Sequence, residues 1–253
     1  MQTSLSSVIK QYSTLQLILL HLVPGVIATA VFMLTAPLVS ALGYPSITAL
    51  YLPMILTVIL LELGYLLVQG KRKNGSSSLK RIVNFREPVP WWQYVVFPFL
   101  IVIWGIIVTG LVSPIDNLFL TKIFAWLPDW YALRELFEIP KTYPRETLLV
   151  TAVLAIVLNG IVGPIVEELY FRGYLLSRMS RLGRWAPLIN VVLFSLYHFW
   201  TPWNFLSRVV LLAPMVYLVW WKRNIYIGMI AHCLLNLIGT TVLFAQLLGQ
   251  YSV

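Results

Sequence analysis

The sequence predicts an all-α fold, a polytopic membrane helix bundle of about seven, possibly eight, transmembrane helices around a polar intramembrane cavity. Three observations carry this reading. Of 253 residues, 59% are hydrophobic and only 11% are charged, against roughly 45–50% apolar in ordinary soluble domains. Mean hydropathy is +0.83. The apolar residues fall in successive runs of about 20, the length at which a helix spans ~30 Å of hydrocarbon. A soluble globular domain, a disordered chain and a secreted disulfide scaffold are thereby excluded, the last because Cys233 is the single cysteine. The net charge of +9 raises nucleic acid as a partner. The basic residues, however, form short blocks between apolar runs, so membrane lipid is the expected partner and nucleic acid is not.

The runs lie near Leu15 to Leu42, Ile47 to Gln69, Trp92 to Val112, Leu148 to Tyr174, Ala186 to Trp200, Phe205 to Trp221 and Ile225 to Leu248. The first contains Ala28-Thr29-Ala30, which resembles a signal-peptide cleavage site, but the run continues to Leu42 and is read as a retained span. Pro24, Pro53, Pro98, Pro164 and Pro214 lack an amide donor and predict kinks. Gly70 to Pro90 reads as a polar loop whose Asn-Gly-Ser sequon at Asn74 has no expected role. The stretch from Ile115 to Pro144 mixes Trp126, Trp130, Tyr131, Leu133, Leu136 and Phe137 with Asp129, Arg134, Glu135 and Glu138. It predicts an amphipathic helix at the interface. Without an internal repeat, residues 1–253 read as one integral-membrane domain, with the chemically informative core at about 146–248.

Orientation follows from the basic residues. Lys71, Arg72, Lys73, Lys80, Arg81 and Arg86 follow the second run, Arg178, Arg181 and Arg184 the fourth, and Lys222 and Arg223 the sixth. With Lys10 and Arg172, these gather on one side of an alternating bundle. Lys122, Arg134, Lys141 and Arg145 lie on the other, and Arg208 lies within the sixth run. Positive-inside sorting places the first group and the N-terminus in the cytoplasm.

Ionisable side chains are expensive in hydrocarbon, so each one inside a run is a functional candidate. These are His21, Glu62, Glu167, Glu168, Arg172, His198 and His232, with Asn236 beside the last. A rise of 1.5 Å per residue from the nearest basic residue puts Glu167 ~16 Å above Arg178 and His198 ~21 Å above Arg184. By the same measure His232 and Asn236 stand ~14 and ~20 Å above Arg223. Three helices thus contribute to one layer. Glu168 and Arg172, at i and i+4, should pair and brace their helix, which leaves Glu167 as the free carboxylate. A carboxylate beside a histidine in a dry pocket can serve as general base. His198 would share its water or protonate the leaving amine. His232 and Asn236, again at i and i+4, offer two donors to an oxyanion, and Phe194 would wall off water. Peptide hydrolysis by an activated water fits this set. Glu62 and His21 are read as structural hydrogen-bonding residues.

These residues also carry a resemblance. Glu167-Glu168-Leu169-Tyr170-Phe171-Arg172 matches EExxxR, Phe194-Ser195-Leu196-Tyr197-His198 matches FxxxH, and His232-Cys233-Leu234-Leu235-Asn236 matches HxxxN. Three such motifs in order, each on a membrane helix, resemble the CAAX-protease and bacteriocin-processing (CPBP) family of intramembrane endopeptidases. The resemblance implies that Glu167 and His198 activate the water, that His232 and Asn236 form the oxyanion site, and that Glu168 and Arg172 support them. It also implies a cavity open to the cytoplasmic side. The expected substrate is a membrane-associated peptide, either a prenylated CAAX segment or a bacterial leader or bacteriocin-type peptide.

No cofactor is favoured. The alternative is zinc, held by Glu167, His198 and His232 with water as fourth ligand, but no HExxH helix is present and the same side chains already have hydrogen-bonding roles. A non-catalytic scaffold of the same fold and a proton-coupled transporter are the competing functions. The intact motif residues argue against the first, and the lack of paired broken helices with internal symmetry argues against the second. Short loops and compact size point to a bacterial plasma membrane, with the endoplasmic reticulum as alternative.

Overall fold

The computed structural model describes residues 9–136 and 143–249. Among the described residues, six helices are long and apolar enough to cross a membrane: α1 (Thr14–Ala41), α2 (Ser46–Asn74), α3 (Gln93–Ile123), α4 (Arg145–Arg178), α6 (Pro202–Lys222) and α7 (Ile225–Gly249). No strand is present among the described residues. The chain is therefore an integral membrane helix bundle.

The expected span from Ala186 to Trp200 is corrected. It forms α5, a helix of 12 residues over Ala186–Tyr197, about 18 Å long and too short to cross. Pro202 has no amide donor and pushes the preceding residue out of helical conformation; Thr201 accordingly has φ −138 and ψ 61. The chain turns back there, and α5 packs against α6 as a hairpin. The amphipathic helix expected over Ile115 to Pro144 is corrected too. Residues to Ile123 extend α3, and beyond them only short turns, Asp129–Ala132 and Arg134–Leu136, are helical. Pro128 and the left-handed backbone of Leu133 (φ 56) punctuate this stretch. Its Leu127, Tyr131, Leu133 and Leu136 are buried against Phe32 of α1 and Trp203, a packing that outweighs lying on the surface. Phe137 and Glu138 lie outside the described residues.

Local chemistry fixes the helix ends. Ser13 and Gln16 form a reciprocal capping box at the start of α1. Gly75, at φ 72, ends α2 after Lys71, Arg72 and Lys73, the pairing of left-handed glycine with last-turn cations that suits the helix dipole. Asn224 opens α7 by accepting hydrogen bonds from the N–H groups of Tyr226 and Ile227. The main apolar core lies toward the basic loops, where Leu17, Leu66, Phe171, Leu175, Val216 and Val219 are buried together. Leucines such as Leu34 and Leu111 are exposed around the outside, as a lipid-facing surface requires.

Candidate active site

The motif residues converge from α4, the end of α5, and α7. Within α4 the turns change width: a π-helical stretch, Ala155–Val162, gives way to α-helix at Gly163–Glu167, and a second π-helical stretch, Glu168–Leu175, follows. Such wide turns recur at functional sites because they re-aim side chains. Pro164 explains one consequence. In the i to i+5 pattern, residue 164 would donate to the Asn159 carbonyl, and proline has no N–H to give. The side-chain amide of Asn236 supplies the donor instead, at 2.9 Å. Asn159 in turn donates from Nδ2 to Oγ1 of Thr240 at 3.2 Å. Helices α4 and α7 are thereby laced together next to the site.

Glu168 is fully buried and central to the charge arrangement. Its Oε1 lies 3.3 Å from Nη1 of Arg172 and 3.0 Å from Nδ1 of His232. The expected i, i+4 pair is thus formed, as an ion pair without hydrogen-bond alignment, since no guanidinium nitrogen of Arg172 has a hydrogen-bond partner. The guanidinium instead sits 4.0 Å above the Phe194 ring, a cation–π contact that the sequence reading missed in assigning Phe194 only to water exclusion. With its Nδ1–H donating to Glu168, His232 directs Nε2 toward Glu167, 3.8 Å from Oε2. That nitrogen is an acceptor in the neutral ring and a donor in the doubly protonated ring.

His198 follows the last residue of α5. Its Nδ1–H donates to the Phe194 carbonyl at 2.8 Å, and its ring is held between Phe194 and Trp200, with both centroids at 4.8 Å. Glu167, His198, His232 and Asn236 all line one cavity of about 490 Å³. One amide hydrogen of Asn236 is committed to Asn159; the other remains for a ligand.

The cavity also exposes polar residues that the sequence reading passed over. Arg208 donates from Nη2 to Oγ1 of Thr201 at 2.8 Å, and Asn204 donates to Oδ2 of Asp116 at 3.1 Å; Arg208, Asn204 and Asp116 line the wall. The rule that found the other candidates, an ionisable residue inside an apolar run, applies equally to Arg208. Glu62 is buried and, as expected of a structural residue, pairs with a neighbouring helix: its carboxylate meets the hydroxyl of buried Tyr197 on α5. His21 is structural as expected, its Nδ1 2.7 Å from the Leu17 carbonyl and its Nε2 3.0 Å from the Asn190 amide.

The exposed part of the cavity lining lies away from the basic loops. Of its lining residues, Thr109 on α3 and Gly239 on α7 are exposed, and both stand farther from the basic loops than His232 does. At the basic-loop end the site is closed by buried Phe171 and Leu175 with Ile82, Val83 and Phe85 tucked beneath them. Among the described residues no three His, Cys, Asp or Glu side chains are grouped closely enough to hold an ion, so Glu167, His198 and His232 do not form a zinc ligand set as they stand.

Comparison with known proteins gives one family. Residues 149–238 match the model described as "Type II CAAX prenyl endopeptidase Rce1-like", a segment that contains all three motifs. No match is found among curated proteins. None is found among solved structures.

Proposed function

We propose that this chain, whose residues 149–238 match the Rce1-like type II CAAX prenyl endopeptidase model, is an intramembrane endopeptidase that hydrolyses a membrane-associated peptide with a water activated by Glu167. The observation that carries the reading is the convergence of Glu167, His198, His232 and Asn236 on one membrane-embedded cavity. Glu167 removes a proton from water, and the oxygen attacks the scissile carbonyl. The Nε2 edge of His232 and the second amide hydrogen of Asn236 face the resulting oxyanion and stabilise it by donating hydrogen bonds. The C–N bond then breaks, and the proton taken by Glu167 passes to the leaving amine, directly or through Nε2 of His198. Glu168 orients His232, and Arg172 with Phe194 holds Glu168 in place.

The reaction as written needs no cofactor: every proton has a donor and an acceptor among these side chains. The basic loops are assigned to the cytoplasm with the N-terminus. Lipid and a peptide substrate are the partners.

The test presumes no substrate. Peptide termini are compared in membranes and medium from cells expressing the wild type or Glu167→Gln at matched levels. Specific termini are expected to vanish in the variant, and their sequences then give the substrate. Identical termini, with the variant folded in the membrane, overturn the reading.

A further inference from the structure

A groove of about 450 Å³ lies between the start of α1 and the last turns of α2, at the basic-loop end of the bundle. It shares no lining residue with the catalytic cavity. Its α2 wall is Tyr65, Gln69 and Arg72, spaced i, i+4, i+7 and therefore on one face of the helix. Its α1 wall is Gln16, Leu19 and Leu20, again on one face, with Lys10 and Tyr12 in the segment that leads into that helix.

The lining is graded in polarity along the helices. Lys10 and Arg72 stand at the loop end, both exposed. Gln16 and Gln69 follow one turn further in. Leu19 and Leu20 lie about 5–6 Å deeper than Gln16, and the Tyr65 backbone about 10 Å deeper than Arg72. The Tyr65 hydroxyl closes the inner wall, 3.4 Å from that of Tyr12 and 3.5 Å from that of Tyr174. Gln16 uses Oε1 to accept from the Ser13 N–H, which leaves its amide hydrogens for a ligand. No acidic residue lines the groove, and among the described residues neither Lys10 nor Arg72 is ion-paired with a carboxylate. Two cations thus face a groove that offers them no counter-charge.

A phospholipid carries its groups in the same order: a charged phosphodiester, then ester carbonyls that accept hydrogen bonds, then apolar chains. We infer that this groove binds an anionic phospholipid of the leaflet on the basic-loop side. The phosphodiester sits between Lys10 and Arg72, the ester carbonyls accept from Gln16 and Gln69, and an acyl chain lies along Leu19 and Leu20. The ammonium of a zwitterionic headgroup finds no carboxylate here, which selects for a lipid of net negative charge. Bound in this way, the lipid ties the segment before α1 to the end of α2. The inference does not depend on the protease reading.

The test follows the thermal stability of the purified full chain in detergent during titration with phosphatidylglycerol, phosphatidylcholine or inorganic phosphate, since a ligand of the folded state raises Tm. Lys10→Gln with Arg72→Gln is compared with Lys71→Gln with Lys80→Gln, which removes the same charge from exposed positions outside the groove. Phosphatidylglycerol is expected to raise Tm of the wild type and of the Lys71/Lys80 variant at similar concentrations, and to need about thirtyfold more for the Lys10/Arg72 variant. Leu19→Trp leaves the charge unchanged and fills the acyl path of half-exposed Leu19; it is expected to weaken the same response. An equal response of the two double variants, phosphatidylcholine as effective as phosphatidylglycerol, or a wild-type response in Leu19→Trp overturns the inference. So does inorganic phosphate reproducing the shift, which would make the groove a site for the free anion.

Discussion

Nδ1 of His232 lies 3.0 Å from Oε1 of Glu168, and that oxygen also lies 3.3 Å from Nη1 of Arg172. One buried carboxylate therefore serves two cationic or donor groups from two helices, and the second carboxylate, Glu167, is left facing the cavity. Removing one member of such an arrangement strands the others without water to solvate them. Arg172→Leu is expected to destabilise the protein by about 3–5 kcal/mol, read as a loss of thermal stability in detergent. Adding Glu168→Gln to Arg172→Leu should recover much of that loss, because the charge is gone while an acceptor for His232 remains. A double variant no more stable than Arg172→Leu alone would show that the pair is not the source.

The close approach of α1 to α5 supports His198. At Gly25 a Cβ would fall on the carbonyl of Tyr197, the residue before His198, so only glycine lets the two backbones meet there. Gly25→Ala is expected to lower turnover about tenfold or more by displacing His198, since small misplacements of a reacting group are costly. Gly110, with open space around it, provides the comparison: Gly110→Ala should leave turnover unchanged. Equal effects at the two positions would refute the positional argument.

The buried Glu62 carboxylate pairs with the Tyr197 hydroxyl. Removing one of two buried polar partners strands the other at a cost of about 1–3 kcal/mol, whereas replacing both with apolar groups of similar shape is nearly neutral or stabilising. Glu62→Leu should therefore lower thermal stability, and adding Tyr197→Phe should recover the loss. A Glu62→Leu variant as stable as the wild type would show that the two side chains do not depend on each other.

Chelation separates the two catalytic readings. If Glu167 acts on water unaided, incubation of the solubilised enzyme with 1,10-phenanthroline or EDTA leaves the cleavage rate unchanged. Loss of activity that returns on adding zinc would overturn the metal-free proposal and assign the lost function to an ion.

Much of the fold was legible because hydrocarbon imposes a length on apolar runs: six of the seven runs became helices long enough to cross. The seventh failed because its apolar character continues to Trp200 while its helix stops at Tyr197, an end set by the turn at Thr201-Pro202 rather than by polarity. The Glu168–Arg172 pair was legible from i, i+4 spacing, which survives the change to wide turns. The partner of Asn236 was not, since it depends on a carbonyl released by Pro164 on another helix.

The sequence by itself determined that the chain is a membrane helix bundle, where its basic ends lie, and which residues carry the three motifs, because span length, charge blocks and helical spacing are local properties. Tertiary structure alone decided which glutamate His232 bonds, what lies over Phe194 and which part of the cavity lining is exposed. Those outcomes depend on how separate helices meet, and no spacing within one helix encodes the gap between two.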